Sequence, residues 1–395
     1  MEIVWILIGL AAVAVVFVML RKNTATASGN AVTTSAAGHP SVMATSSLRV
    51  AMPAAPASAS PLGIDIPLEI ERPENLPESL AVFQAMPASA LSGARKRYLL
   101  DIFGQVPRPP RLLHHLLSPD FVSSASSAEL EDLIVGEPLI AARVLATVNS
   151  PLYGLKTQVR SIAQAVNYLG VNAVRGVCLQ YILIASFKAD TPEREQRLEA
   201  TWNASALASE LIQQLSQRFS LPDPGALVSA VVLSFLGRLA SAAAMPSEML
   251  AEIPSLPLLA RVNAEQHAIG LSSGELGRLL MEDWELPRKI IDDAADIDLT
   301  LVTPFDPRSA IDPVRRARLA MCYLCARMGE RLAEGDLKDL RQYDFLADDT
   351  VDFFHAWSYF DDPRMHRLAE FFRSDELALV LGKMLGTMRQ PEIVI

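Results

Sequence analysis

Four groups of side chains in this 395-residue sequence have the types and spacing to do chemistry. Asp292, Asp293, Asp296 and Asp298 gather enough carboxylate to attract Mg2+ or Ca2+, hard cations that take oxygen ligands. On a helix, Asp292 and Asp296 share one face while Ile290, Ile291 and Ala294 take the other, so the plainer expectation is a solvated helix end. Cys322 and Cys325 form a CxxC inside a helical run that begins at Asp312–Pro313. They lie far from the helix N-terminus that would stabilise a thiolate, and no second cysteine pair exists to complete a zinc site. His114 and His115 are adjacent, on different faces of a short helix, and make poor joint ligands. Trp202, Trp284 and Trp357 have few basic neighbours in sequence and read as packing anchors, not base-stacking platforms.

Composition narrows the field further. A formal net charge of −10 argues against nonspecific nucleic-acid binding, which needs clustered Lys and Arg for phosphate contacts. Three cysteines in helical settings form no disulfide framework and suit a reducing compartment.

The elements that position these residues are helices. From Gly136 to Val177, caps and apolar periods agree on three of them. Pro138 suits a first helical position, Leu139, Val144, Leu145 and Val148 form a stripe, and Asn149–Ser150–Pro151 ends it. Ser161 and Gln164 form a capping box for a short helix with Ile162, Val166 and Leu169 on one face, closed by Gly170 in the left-handed conformation. Asn172 is the expected cap of the third, whose stripe runs through Val174, Val177, Cys178, Tyr181, Ile182 and Ala185. Upstream, Ser89–Phe103, Arg111–Leu117 and Ser127–Val135 read as helices, and downstream so does Thr201–Gln217. The run ALVSAVVLSFLGRLASAA is apolar nearly all round, the mark of a helix enclosed on every side.

Glu137–Pro138, RVLATVNSPLYG and SIAQAVNYLG closely resemble the HDOD domain, a bacterial all-helical relative of the HD and HD-GYP phosphohydrolases. The resemblance covers roughly residues 103 to 335, including VPRPPRLLHHL and ELGRLLMEDWELP. It implies a signalling module on a phosphohydrolase scaffold that usually lacks the metal site. In the related enzymes a central helix carries a His-Asp pair that holds a divalent metal. Here those positions fall on Ser234 and Phe235, with Gly237 retained. Another ligand normally stands two residues past a tryptophan, where Trp202 is followed by Asn203 and Ala204. A later histidine corresponds to Ser273, and paired histidines would fall near Ile297 and Asp298. Ser is a feeble ligand, while Phe and Ala have no lone pair to offer, so no metal, cofactor or catalytic residue is expected.

The N-terminus adds a second theme. Ile3 to Leu20 is uninterrupted apolar sequence, long enough to cross a hydrocarbon core of about 30 Å, and Arg21–Lys22 follow it. With Glu2 the only charge in front, it reads as an uncleaved anchor of the bacterial inner membrane, N-terminus outside and the rest cytoplasmic. A cleaved signal and a buried core helix are the alternatives. Residues 23–94, rich in Ala, Ser, Thr and Pro, read as a flexible linker, with Leu68–Val82 a segment able to dock.

The expected organisation is therefore all-α: an anchor at 1–22, a linker at 23–94, an HDOD-like bundle at 95–335 and a helical extension at 336–395. The aromatic face of that extension, Phe353, Phe354, Trp357, Phe371 and Phe372, either closes the core or meets a partner. The functional expectation is a noncatalytic adaptor that binds a cytoplasmic or membrane signalling protein. One alternative is a sensor holding a nucleotide, such as a cyclic dinucleotide, in a vestigial pocket at Trp202, Ser234, Phe235 and Arg238, with Arg175 and Arg288 converging on it. A phosphohydrolase using the Asp292–Asp298 cluster is the other.

Overall fold

The computed structural model describes residues 76–388 apart from 105–108, 151–152, 154, 156, 305–311, 345–347, 349 and 360–364. All of these lie in one compact unit, Ile64–Ile395. The expected anchor at 1–22 and the linker up to residue 75 lie outside the described residues.

Among the described residues there are helices and no strand. In chain order they are α1 (Glu78–Ala81), α2 (Gly93–Gly104), α3 (Arg111–Leu116), α4 (Pro119–Ser124), α5 (Ser127–Val135), α6 (Pro138–Val148) and α7 (Ile162–Leu169). Next come α8 (Val171–Ala185), α9 (Pro192–Arg218), α10 (Pro224–Ser234), α11 (Leu236–Ala244), α12 (Ser247–Glu252), α13 (Leu258–Ile269) and α14 (Ser273–Asp283). The last are α15 (Arg288–Ala295), α16 (Leu299–Val302), α17 (Pro313–Glu334), α18 (Ala356–Tyr359), α19 (Met365–Phe372) and α20 (Asp375–Met388).

The three helices read from Gly136 onward form, with adjusted ends. Pro138 opens α6 and Asn149 closes it, but the buried stripe is Ile140, Val144 and Val148, while Leu139 is 75% exposed. Asn149 does more than end the helix. Its Nδ2 donates to the carbonyls of Leu145 and Val159, and its Oδ1 accepts from Val159 N–H, each at 2.8 Å, which pins the returning chain to α6. Ser161 caps α7 by accepting from Gln164 N–H, while the Gln164 side chain accepts from Arg160 N–H, one residue earlier than a capping box requires. Gly170 has φ 85° and ψ 158°, positive but outside the left-handed helical well, a region open to glycine alone. It turns the chain by 116° between α7 and α8 and itself stands at the cap position expected for Asn172.

The core is built on α9, of 27 residues, and α17, of 22, which pack along each other over the most extensive helix pair in the fold. They come close because Gly329 of α17 lies directly on the Ala204 carbonyl and Ala208 amide of α9. The helix expected to begin at Thr201 begins at Pro192, behind a Thr191 cap that accepts from Arg194 N–H. The extra turns were hidden by their polarity. Arg194 is nevertheless buried, because its guanidinium donates to the carbonyls of Ala242 and Met245 at the end of α11.

Residues 224–244, with mean hydropathy 1.8, are long and apolar enough to cross a membrane, but 83% of that window is buried inside the protein. This is the enclosed segment expected from its composition. It is interrupted at Phe235 into α10 and α11, and α11 crosses α14 with backbone against backbone: a Cβ on Gly237 would overlap the Ser273 carbonyl.

Residues 76–94, expected to be linker, are docked. Leu80 is buried, Gln266 donates to the Gln84 carbonyl and accepts from Met86 N–H, and Glu275 accepts from Ala88 N–H. The C-terminal aromatics divide similarly. Phe353, Trp357 and Phe372 are buried, with Phe353 edge-on to Tyr323 of α17 at 6.1 Å, while Phe354 and Phe371 are half-buried. Within the expected helical extension, Val351–Phe353 is a 3-10 turn followed by the short α18, and α19 and α20 complete it.

Candidate functional site

The positions where the related enzymes would hold a metal can now be followed one by one. Ser234 ends α10, is nearly buried, and donates its hydroxyl hydrogen back to the Val231 carbonyl at 2.7 Å. Phe235 is wholly buried. Ser273, at the start of α14, donates to Asp298 Oδ2 at 3.3 Å. Ala204 is packed beneath Gly329. Of these, Phe235, Ser273 and Asp298 are brought together, and what joins them is Arg238.

Arg238 stands one turn into α11, so its side chain returns over Phe235, with the guanidinium carbon 4.9 Å from the ring centroid. Its Nη2 donates to Asp298 Oδ1 at 2.8 Å and its Nε lies 3.0 Å from Glu330 Oε1. A guanidinium thus stands among Phe235, Ser273 and Asp298, positions that the resemblance matches to metal ligands. It supplies positive charge, but it has no open coordination position and cannot lower the pKa of a bound water.

Arg238 is one member of a larger buried network. Glu330 faces Arg238, Arg327 at 3.1 Å and Arg261 at 3.5 Å. Glu334 pairs with Arg197 at 3.1 Å and with Arg261, and Glu265 reaches Arg197 at 3.7 Å. Arg327 continues to Asp352 at 2.6 Å, whose carbonyl accepts from the Tyr323 hydroxyl. Burial alone would push the Glu330 carboxyl up, yet the surrounding arginines pull it down to about 2, so it is ionised. Asp298 and Glu265 are pushed upward by burial, with Arg238 and Arg197 respectively the leading opposition. Five carboxylates thus meet four guanidiniums, and Glu265 has the longest pairing of them, 3.7 Å to Arg197.

Sequence reasoning missed this network, although α17 carries a signal for it. Tyr323, Arg327, Glu330 and Glu334 fall at i, i+4, i+7 and i+11, a polar stripe on a helix that is otherwise enclosed.

The remaining candidates separate in space. Trp202 lies half-buried with the Arg143 guanidinium 5.9 Å from its ring centroid, a basic neighbour that sequence proximity did not offer. Trp284 and Trp357 are buried packing residues. Arg175, Arg238 and Arg288 have three different surroundings. Arg288 is 68% exposed, paired with Glu282 and Asp292, while Arg175 is wholly buried against Gly225. Of the residues expected to line a nucleotide pocket, Phe235 is wholly buried and Arg238 stacks over its ring.

The aspartates at the end of α15 are half-buried and paired with cations. Arg278 bridges Asp292 and Asp296, each at 2.6 Å, Arg315 reaches Asp296 at 2.7 Å, and Lys289 reaches Asp293 at 2.9 Å. They line an open cleft of about 870 Å3 together with these cations. Asp298 belongs instead to Arg238. Among the described residues no three His, Cys, Asp or Glu are grouped so as to hold a metal ion. His114 and His115 are both exposed. Cys322 and Cys325 are buried and unbridged, and burial pushes Cys322 up to about 12 and Cys325 well above the usual thiol range.

The described residues form an all-helical bundle around a buried network of ion pairs. Residues 106–298 match the HDOD domain, and over that span the chain belongs to the HDOD family. It is similar to an HDOD domain protein of unknown function from Geobacter sulfurreducens, at 19% identity and TM-score 0.45 over 74% of this chain and 89% of that one. It is likewise similar to a Shewanella amazonensis SB2B protein whose name places it among phosphohydrolases, at 19% identity and TM-score 0.47 over 73% and 97%. A third is the MmoQ response regulator of Methylococcus capsulatus, at 17% identity and TM-score 0.31 over 74% and 99%. No protein with a curated description matches the chain.

Proposed function

We propose that this protein is a noncatalytic signalling adaptor, held at the bacterial inner membrane by residues 1–22, whose HDOD domain works by binding another protein. The observation that carries the reading is Arg238, whose guanidinium stands with Asp298, Ser273 and Phe235 where metal-activated hydrolysis would require a metal and an open water position. A domain that keeps the scaffold and fills the reaction centre with structural ion pairs is left with its surface to act through.

Two measurements test it. The purified full-length chain, supplied with Mn2+ or Mg2+, should bind neither tightly and hydrolyse no phosphodiester. Turnover abolished by substituting Asp298 would overturn the noncatalytic reading. Crosslinking in intact cells should recover one protein in near-stoichiometric amount, and deletion of residues 1–22 should release both from the membrane. Recovery of this chain alone counts against the adaptor.

A further inference from the structure

Arg175 is the one fully buried guanidinium among the described residues whose three nitrogens, Nε, Nη1 and Nη2, all lack a hydrogen-bond partner. Buried charges are ordinarily paired, as every member of the Arg238 network is, so this exception needs a cause. Desolvation lowers its pKa only to about 10, which leaves it cationic at neutral pH.

Its surroundings make matters worse for a lone cation. The guanidinium lies on the Cα of Gly225, where a Cβ would overlap Nη2. Gly225 is the second residue of α10, an eleven-residue helix whose first turn concentrates partial positive charge. Asp223, at the cap position, gives no relief. Its side chain makes no capping hydrogen bond, is 61% exposed and faces Arg318 at 3.5 Å. Ala226 and Leu227 N–H donate to the Asp223 carbonyl, while Gly225 N–H has no partner within its own helix.

A cavity of about 150 Å3 adjoins this point. The first turn of α8, Gly170 to Ala173, forms one wall, and that helix too has no side-chain cap. Pro224 of α10 forms another, and Gln213, Ser216 and Gln217 of α9 supply neutral hydrogen-bonding groups. Asn172 links cavity and guanidinium, since it lines the first and its Oδ1 crowds the same Gly225 Cα. No acidic residue lines the space. Two uncapped helix N-termini thus border this void, and the unpaired Arg175 guanidinium lies on Gly225, next to the lining residues Asn172 and Pro224, a combination that lacks only a negative charge.

We propose that the space between the first turns of α8 and α10 is an oxyanion site, in which Arg175, Gly225 N–H and the first-turn amides of α8 hold inorganic phosphate or the phosphoryl end of a small phosphate monoester. Size selects this class. The void takes a tetrahedral oxyanion but falls short of the roughly 300–1,000 Å3 typical for drug-sized ligands, so a whole dinucleotide is excluded. The site shares no residue with the Arg238 network, and either reading can fail without the other.

The test uses the full-length chain in mild detergent. Inorganic phosphate and phenyl phosphate are titrated separately by calorimetry, against chloride at matched ionic strength. Saturable one-site binding of inorganic phosphate identifies the free anion as sufficient. Binding of phenyl phosphate alone identifies a monoester. Arg175→Met should weaken whichever binds by about tenfold or more, since a charge-assisted contact is removed. In phosphate-free buffer the same variant should unfold no earlier than the parent, which a purely structural arginine would not permit. Should that variant fail to fold, unsubstituted crystals soaked in tungstate should show an anomalous peak between Gly225 and Asn172. Binding of neither compound, affinity unchanged by Arg175→Met, or tungstate absent from this place would each overturn the proposal.

Discussion

Arg238 and Asp298 meet at 2.8 Å inside the bundle, although 60 positions separate them in the chain, and Phe235 lies beneath the guanidinium. Glu330 completes the arrangement from α17. Removing the cation therefore strands Asp298 and leaves Glu330 with Arg327 and Arg261 alone. Arg238→Met should destabilise the fold by about 3–5 kcal/mol, the usual cost of breaking a buried pair from one side. The double variant Arg238→Met, Asp298→Asn should recover part of that loss. Urea unfolding midpoints measure both, and equal midpoints for parent and single variant would show that the pair contributes nothing.

Two carboxylates of the same network should respond to pH with opposite sign. Glu330 is held down at about 2, below its ordinary 4.5, so its contribution is complete above about pH 4.5 and is lost as pH falls toward 2. A shift of that size corresponds to on the order of 3 kcal/mol. Glu265 is held above its ordinary value by burial, so its contribution is complete below about pH 4.5 and is lost as pH rises through its folded value. Glu330→Gln should accordingly lower stability at pH 7 and flatten the acid limb of the stability curve. Glu265→Gln should leave stability at pH 7 unchanged or raised. Thermal unfolding from pH 3 to pH 8 decides it, and parallel curves for the two variants would refute the assignment.

Local signals in the sequence carried much of the fold. Pro138, Ser161 and Gly170 mark helix ends through their own backbone and side-chain chemistry, and the structure puts ends there. The enclosed nature of 224–244 was equally legible, because a helix without a polar face has nowhere else to go. What could not be read is pairing across the chain. Trp202 meets Arg143, and Gln266 fastens Gln84 and Met86 from 180 positions away, relationships that no local period encodes. Leu139 shows the same limit from the other side: it falls on the expected stripe, yet Ile140 takes the core. Ser234, Phe235 and Ser273 were legible as residue types, whereas the meeting of Phe235, Arg238, Ser273, Asp298 and Glu330 needed α11, α14 and α17 in place together.

The three cysteines give a kinetic prediction. Cys178, Cys322 and Cys325 are all buried, and burial raises each thiol, Cys178 to about 12. The thiolate is the reactive species, so a disulfide-exchange reagent at pH 8 should find almost none of it in the folded chain. Labelling should proceed at the rate of unfolding, reach three thiols in urea, and accelerate in Arg238→Met. Fast labelling of Cys322 or Cys325 in the native protein would revive a redox role for the CxxC.

Asn149 offers the sharpest test of how the asparagine of RVLATVNSPLYG earns its place. Its amide makes three hydrogen bonds of 2.8 Å, two of which tie Val159, ten residues onward, to the end of α6. A single side chain thereby satisfies a donor and an acceptor of a returning chain that has no helix of its own at that point. Asn149→Ala leaves the Val159 N–H and carbonyl to find other partners, at a cost of about 1–3 kcal/mol. Asn149→Asp keeps the acceptor for Val159 N–H but turns the donor into a charge facing two carbonyl oxygens, so it should be no better than alanine. Amide exchange separates local from global effects. Val159 N–H should lose protection in both variants far more than the amides of Leu211 and Leu215 in α9, and uniform loss across the fold would mean that Asn149 acts on overall stability and does not hold this loop in particular.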